Sequence, residues 1–514
     1  MRLFTLLLLI GLISCEQAPT YEALEENTSQ FRDESLAPFY HGVASGDPLP
    51  TGIVLWTRVT PATQVPEIEV EWEISKNENF QEVALSGKET TSPERDYTVK
   101  VDITEGLTPG TQYYYRFKAL EGSSMTGKTR TAPQLAERLR FAVVSCSNYE
   151  FGYFNAYARI AEEENLSAVV HLGDYIYEYG PGVYGDTAIG RINVPPHEIV
   201  SLQDYRDRYA QYRLDQDLRA VHANHPFINI WDDHEITNNS YKDGAENHQE
   251  DEGDYNTRKA VARQVYYEWL PIRDGAAHYR AFSFGDLADL IMLDERLAGR
   301  TKQVDSLSDA TLQNVDRSML GAEQLAWFQE RLTTSKARWK LIGNQGIFSY
   351  LDWGFPTFSI NLDAWDGYPA EQQKVADFIK ENELENLVFL TGDTHSSWAF
   401  EVTNNPKKEY NSSTSEGAFA VEFGVTSINS SNSNERASTE DVLEHEKKIV
   451  NTEINPHLKY ANMRDHGYMI LELDAEKAQA SYKYVETLKE RDKRIRTETT
   501  LQVNSGEVKI RRKD

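Results

Sequence analysis

The sequence predicts an α/β protein in which a small all-β module precedes a large layered domain. From Phe39 to Pro133, short apolar runs alternate with polar residues at a period of two, separated by turn residues. From Arg138 onward, compact apolar runs of strand length alternate with amphipathic stretches of helical length. Several of the later runs also stop abruptly at metal-ligating residue types. The fullest case is Phe227-Ile228-Asn229-Ile230-Trp231, which meets Asp232-Asp233-His234-Glu235 and then Asn238.

At 514 residues the chain has room for more than one domain, or for one large core with an added module. A hydrophobic fraction of 40% and 28 tyrosines supply that core. The net charge of −28 excludes ordinary nucleic-acid backbone binding, which needs a basic face, and suits an extracytoplasmic protein that holds cations.

Arg2, a short apolar run and a small residue before Cys15 make a secretory signal, too short to span a bilayer. Leu12-Ile13-Ser14-Cys15 is similar to a bacterial lipobox. That similarity implies a lipid on Cys15 and a place in the bacterial cell envelope, periplasmic or surface-exposed. The membrane is then contacted through the lipid alone, and the chain is expected to be a monomer. Residues 15–37 read as a flexible tether. Cys146 is the only other cysteine, so a lipidated Cys15 leaves it without a disulfide partner.

Residues 38–134 form the expected β-module. Ile53-Val54-Leu55-Trp56 is a buried-type run, and Val70, Trp72 and Ile74 alternate with polar residues, as do Val99, Val101 and Ile103. Leu107-Thr108-Pro109-Gly110, followed by the tyrosine-rich run to Phe117, is similar to the corner of fibronectin/Ig-like β-sandwiches. Residues 135–488 form the layered domain. Its strands are expected at Phe141–Cys146, Ala168–Leu172, Phe227–Trp231, Ala288–Leu293, Trp339–Ile342 and Leu387–Leu390, with a pair near Tyr468–Leu473 and Ala480–Val485. Helices are expected over about 151–164, 201–220, 255–270, 322–334, 370–382 and 439–450. The final segment, 489–514, carries nine Lys/Arg against five acids and reads as an exposed, solvated hairpin.

In an open α/β sheet, ligands bind beyond the carboxyl ends of the strands. The strand ends here carry Cys146; Asp174 with Tyr177; Asp232, Asp233, His234 and Asn238; Asn344; and Asp393 with His395. Any one of these fits an ordinary charged loop. Their repetition at five strand ends points to one shared metal site. Cations a few ångströms apart need a bridging carboxylate, and Asp174 is the best placed to supply it. His395 or His234 would ligate or protonate a leaving alcohol. Arg296, also at a strand end, is positioned to contact phosphate, whereas Arg206, Arg208 and Arg213 on the tyrosine-rich helix read as surface ion pairs.

Taken together, the motifs resemble the alkaline phosphatase D (PhoD-like) family. The matching residues are His41-Gly42-Val43-Ala44-Ser45-Gly46-Asp47-Pro48 with Leu55-Trp56-Thr57-Arg58, Ser145-Cys146-Ser147, His171-Leu172-Gly173-Asp174-Tyr175-Ile176-Tyr177-Glu178, Trp231-Asp232-Asp233-His234-Glu235, Asn344-Gln345, Trp365-Asp366-Gly367-Tyr368 and Gly392-Asp393-Thr394-His395-Ser396-Ser397-Trp398. They run from about residue 39 to 485. The resemblance implies a calcineurin-like metallophosphoesterase core, two packed sheets flanked by helices, behind an N-terminal sandwich. It implies Fe3+ with calcium ions, two in number. Cys146, Asp174 and Tyr177 would hold the iron, Asp174 would be shared with calcium, and Asp233, Asn238, Asp393 and His395 would complete the cluster. The chain departs from the ordinary metallophosphoesterase in one respect: Ser145-Cys146-Ser147 stands where Asp-x-His follows the first strand. It departs from many family members in carrying a lone Arg2 and a lipobox instead of a twin-arginine signal, which bears on where the metals are loaded.

The expected activity is hydrolysis of phosphate esters, with a metal-bound hydroxide attacking phosphorus. The alternatives are a phospholipase-D-like diesterase acting on lipid head groups near the anchor, and a calcium-binding surface module without catalysis.

Overall fold

Two sheets packed face to face build the layered domain of the computed structural model, which describes residues 22–513 apart from positions 25, 276 and 452. The signal segment and Cys15 lie outside the described residues. The larger sheet has ten strands. At its centre Leu139–Val144, Ala168–His171, Pro226–Asn229 and Val43–Gly46 run parallel. The antiparallel strands Gly467–Leu473, Lys477–Val485, Ile495–Asn504 and Arg511–Arg512 extend one side, and Ile53–Arg58 and Thr98–Ile103 the other. In the seven-stranded sheet, Ala288–Met292, Trp339–Gly343, Leu387–Thr391 and Ala420–Gly424 are parallel.

Parallel strands are buried on both faces, which is why they appear in sequence as unbroken apolar runs. Phe141, Val143, Val170 and Ile228 of the larger sheet meet Leu290, Leu341, Val388 and Leu390 of the smaller one. The alternate residues Ala142, Val144, Val169 and Phe227 pack outward against Ile160, Tyr205, Tyr209 and Trp269. On the far side, Ile291, Ile342 and Phe389 pack against Phe328, Leu332, Val375 and Ile379, from the helices Gly321–Thr334 and Pro369–Glu381. The order of layers is helices, sheet, sheet, helices, and each fully buried aliphatic or Phe side chain stabilises it by about 1.5–3 kcal/mol.

Four helices fall within a residue or two of expectation: Tyr255–Trp269, Gly321–Thr334, Pro369–Glu381 and Thr439–Ile449. The helix expected over 151–164 shrinks to Asn155–Ile160. The one expected over 201–220 is two helices, Leu202–Arg213 and Gln216–Asn224. Asp215 makes the break: its carboxylate accepts from the backbone N–H of Asp217 (2.8 Å) and Leu218 (3.1 Å), capping the second helix.

Four expectations need correction. The N-terminal module is not a separate sandwich: it supplies both facing layers, but only one is a sheet of its own, built from Val83–Thr91, Ile68–Ser75, Gln112–Ala119 and Gly122–Ser123, with Gly127–Arg130 pairing beside Gln112–Ala119. The sheet facing it is the Val43–Gly46, Ile53–Arg58 and Thr98–Ile103 end of the ten-stranded sheet, and Leu55, Val101, Val70, Tyr115 and Phe117 fill the space between. The expected boundary at residue 134 falls between the strands Gly127–Arg130 and Leu139–Val144, but the units on either side of it share the ten-stranded sheet. The corner itself is present, since the Tyr113 hydroxyl accepts from the Thr108 N–H at 2.9 Å.

The 489–514 segment is not a solvated tail. Ile495–Asn504 pairs along Lys477–Val485, and Leu501, Val503 and Ile510 are buried in the inter-sheet core. Residues of the expected tether are packed as well. Glu26 pairs with Arg58 and Arg32, Asn27 donates to Asp207 at 2.6 Å, and Ala23 bridges Thr63. Finally, the helix arginines are not on the surface. Arg208 and Arg213 are fully buried, and Arg206 forms a two-pronged pair with Glu268.

Candidate metal centre

The parallel strands of both sheets end on one rim, where loop backbones stitch them together. Cys146 N–H donates to Gly173 O (3.0 Å), Ser147 N–H to Asp174 O (2.8 Å), Asn344 N–H to Leu390 O (2.9 Å) and Ile428 N–H to Ser145 O (2.9 Å). Two glycines permit the close approach. A Cβ on Gly173, at φ +108°, would lie 2.4 Å from Asp232 Cβ, and one on Gly392 would lie 2.7 Å from Ser145 Cβ. Glu235 clamps the Asp174 and Asp232 loops from below, accepting from the N–H of Asp174 (3.0 Å), Tyr175 (2.6 Å) and Asp232 (2.9 Å). Cys146, Asp174, Asp393 and His395 all adopt left-handed backbone conformations, with φ from 55° to 59°. Each costs of order 1–3 kcal/mol in a non-glycine residue, and the surrounding packing holds it in place.

This rim brings ligand atoms together in three groups, each with all its members within 4.8 Å of one another: Cys146, Asp174 and His395; Asp174, Asp233 and His234; Asp232, Asp233 and Asp393. Asp174 belongs to two groups and Asp233 to two, so the groups form a chain with carboxylates at the joints. Tyr177 joins the first, its hydroxyl donating to Asp174 Oδ2 at 2.9 Å and lying 3.1 Å from His395 Nε2. His395 Nδ1 is held 2.7 Å from Ser431 O, which leaves Nε2 turned toward Tyr177. His234 Nδ1 lies 2.7 Å from Glu178 Oε2, and its Nε2 has no hydrogen-bond partner among the described residues. An imidazole held by a carboxylate or carbonyl at one nitrogen is the usual setting of a metal-ligating or proton-carrying histidine.

Electrostatics show why cations belong here. Two carboxylates 4.8 Å apart repel by about 3–4 kcal/mol at an effective dielectric of 20. Burial pushes the Asp174 carboxyl well above its ordinary value, Asp233 and Asp232 adding to it against the pull of His234. Burial takes Asp232 up to about 8 and Asp393 up to about 7, with Arg296 opposing both shifts. Burial and Asp174 likewise raise the Cys146 thiol and the Tyr177 phenol. Burial depresses His395 to about 3, whereas at His234 it is outweighed by Glu178, Asp233 and Asp174, which favour the charged ring. Asp174 Oδ1 and Asp232 Oδ2 are buried without a hydrogen-bond partner among the described residues. Orphaned carboxylate oxygens beside a thiol, a phenol and imidazoles fit cations: a transition metal for the sulfur, phenol and nitrogen donors, and harder ions for the all-oxygen end.

Most of the residues expected from the strand ends meet here. Arg296 comes with them but is largely committed: Nε donates to Asp232 at 2.5 Å, Nη1 to Asp363 at 2.8 Å, and only Nη2 faces Asp233 and Asp393, at 3.7 Å each. Asn238 is anchored through its backbone, its N–H donating to Glu178 Oε1 at 2.7 Å, and its half-buried amide makes no protein hydrogen bond among the described residues. Asn344 also ends its strand on this rim; its Nδ2 donates to Gly346 O at 2.5 Å, and its Oδ1 lies 3.3 Å from the Trp365 indole nitrogen, whose N–H goes to Glu295 Oε1 at 2.5 Å.

Sequence reasoning missed Glu178, whose signal was the lone acid closing Asp174-Tyr175-Ile176-Tyr177-Glu178. It also missed Asp363, which holds Arg296 and Arg300, and Arg436, neither of which a local pattern marks. Asp393 and His395 open onto a pocket of ≈ 580 Å³.

Comparison with known proteins gives this centre its chemical class. The family model of PhoD-like phosphatases matches residues 141–482, and the model of their N-terminal domain matches residues 25–133. Alkaline phosphatase D of Bacillus subtilis (strain 168) is 37% identical over 506 residues, 93% of this chain and 83% of that relative. A solved structure of PhoD superposes with a TM-score of 0.83 at 34% identity, covering 93% of this chain and 92% of that one. The protein is thus an enzyme, a hydrolase of phosphoric esters. Within that class, the chain belongs to the PhoD-like phosphatase family.

Proposed function

We propose that this chain is an envelope enzyme, anchored by a lipid on Cys15, that cleaves phosphodiesters and phosphomonoesters at a mixed iron–calcium centre on a calcineurin-like metallophosphoesterase core. One observation carries the reading: three ligand groups linked through Asp174 and Asp233, with a thiol and a phenol at one end and carboxylates alone at the other. Cys146, Asp174, Tyr177 and His395 suit a ferric ion, because thiolate and phenolate are anionic donors whose protons a trivalent cation displaces. Asp174, Asp232, Asp233 and Asp393, with the free amide of Asn238, suit calcium. Held by these residues, such ions would supply acidification of water and neutralisation of phosphoryl charge.

The protein's own groups do the rest. Glu178 fixes His234 through Nδ1, so that Nε2 is the ring nitrogen able to return a proton to the departing alkoxide. Arg296 spaces Asp232, Asp233 and Asp393, and its Nη2 is the donor left to meet a phosphoryl oxygen. Burial keeps His395 neutral, as a ligand must be.

The test is spectroscopic and kinetic. The purified protein should absorb in the visible through iron–phenolate charge transfer. It should lose hydrolysis of bis(p-nitrophenyl) phosphate on chelation, and lose about 10³-fold in kcat/KM, about 4 kcal/mol, in Asp174→Ala. A colourless, iron-free protein with full activity would overturn the metal assignment, and a fully active Asp174→Ala variant would overturn the mechanism.

A further inference from the structure

The pocket outside the metal centre has a composition that the hydrolytic reaction alone does not require. It begins at Asp393 and His395 and runs between the 353–361 loop and the helix Thr439–Ile449. Two large apolar side chains of that loop, Phe355 and Phe358, are left 41% and 45% exposed, whereas most aromatic rings in the chain are buried. They are nonetheless fixed. Phe355 lies flat on His445 (4.0 Å, 13°), Phe358 packs against Trp353 (5.5 Å), and the Trp353 N–H closes the loop onto Ser359 O at 2.8 Å. The cation lining this pocket is Arg436, whose guanidinium makes no hydrogen bond or ion pair among the described residues. The cation expected for phosphate, Arg296, is largely held by Asp232 and Asp363.

We propose that this pocket is a subsite for a planar, apolar ester arm of the substrate, seated on Phe355 and Phe358, and that Arg436 is a second phosphoryl-binding residue beside the centre. Rigid aromatic faces opening directly from a phosphate-binding centre favour esters of aromatic or similarly flat alcohols over small alkyl esters. A free guanidinium at the mouth binds the anionic phosphoryl group whatever the arm. The assignment rests on the phosphoesterase reading and deepens it.

Binding of phenylphosphonate and methylphosphonate to the metal-loaded full chain tests it by calorimetry, with hydrolysis of p-nitrophenyl esters measured alongside. Phenylphosphonate is expected to bind about tenfold more tightly. Phe355→Ala with Phe358→Ala should bring the two affinities to within about twofold of each other, and Phe355→Leu with Phe358→Leu should keep part of the preference. Arg436→Gln should weaken both ligands by about tenfold and leave their ratio unchanged. Equal affinities in the unaltered protein, or a preference that survives the double alanine variant, would sink the aromatic subsite, and unchanged affinities in Arg436→Gln would sink the phosphoryl role. An intact phenyl preference in a protein that hydrolyses no ester would overturn the enzymatic reading and leave the pocket assigned.

Discussion

Glu178 is buried in the site wall and accepts from four groups: His234 Nδ1, the Asn238 N–H, Thr237 Oγ1 and Asn247 Nδ2. Burial disfavours its charge, yet His234 and these donors hold its carboxyl below the ordinary glutamate value, so it stays an acceptor. Glu178→Gln keeps the shape but presents an amide where His234 needs a carboxylate. Loss of such a partner typically costs ten- to a hundredfold, and that is the expected fall in kcat/KM. The fall should be larger for an alkyl phosphate, whose leaving group needs a proton, than for a p-nitrophenyl ester; equal losses on both would remove His234 as proton carrier. At this scale the sequence was informative wherever an acid stood within three residues of the end of an apolar run, as at Asp174, Asp233 and Asp393. It was silent on direction at Asn344, which occupies the same kind of strand end and turns its amide nitrogen toward Gly346 O. A strand end is visible in a pattern; the direction of a side chain beyond it is not.

The strand-to-loop turns are the elements that shape the centre, and Gly173 joins two of them backbone to backbone. Alanine there must adopt a positive φ and place its Cβ 2.4 Å from Asp232 Cβ and 2.5 Å from Asp232 N, so the Asp174 and Asp232 loops must part. Gly173→Ala should destabilise the fold by about 2–4 kcal/mol and lower metal content. Chemical unfolding and elemental analysis read both effects, and wild-type stability with full metal would contradict the close-contact account. Elements buried on two faces were legible from their apolar runs. The break between Leu202–Arg213 and Gln216–Asn224 was not, because the tyrosine stripe continues past it and only the Asp215 cap marks the interruption.

For the whole molecule, the decisive feature is that the ten-stranded sheet runs from the N-terminal module to the last strands of the chain. Deleting 489–513 would bare the Lys477–Val485 edge along its length and uncover the surface that Leu501, Val503 and Ile510 cover. A long unpaired edge above an opened core promotes association. The truncated protein should therefore be insoluble or aggregated on gel filtration, and a soluble monomer melting with the full chain would make the segment a dispensable tail after all. The sequence hid this strand because its buried positions are few, stand among threonines, Glu498 and Gln502, and follow directly on the basic run ending at Arg496.

The sequence by itself determined the class of fold, the strand ends and the chemical types gathered on them, because strand period and ligand identity are written in adjacent residues. Only the tertiary structure decided that Asp233 joins two ligand groups as Asp174 does, that Arg296 is largely committed while Arg436 has no partner among the described residues, and that the module and the tail belong to one sheet. Those facts depend on which distant strands pair and how their loops meet. Val43–Gly46 lies beside Pro226–Asn229, and Gly173 against Asp232, because burial of both sheet faces selects that arrangement. No local pattern records a contact between residues so far apart in the chain.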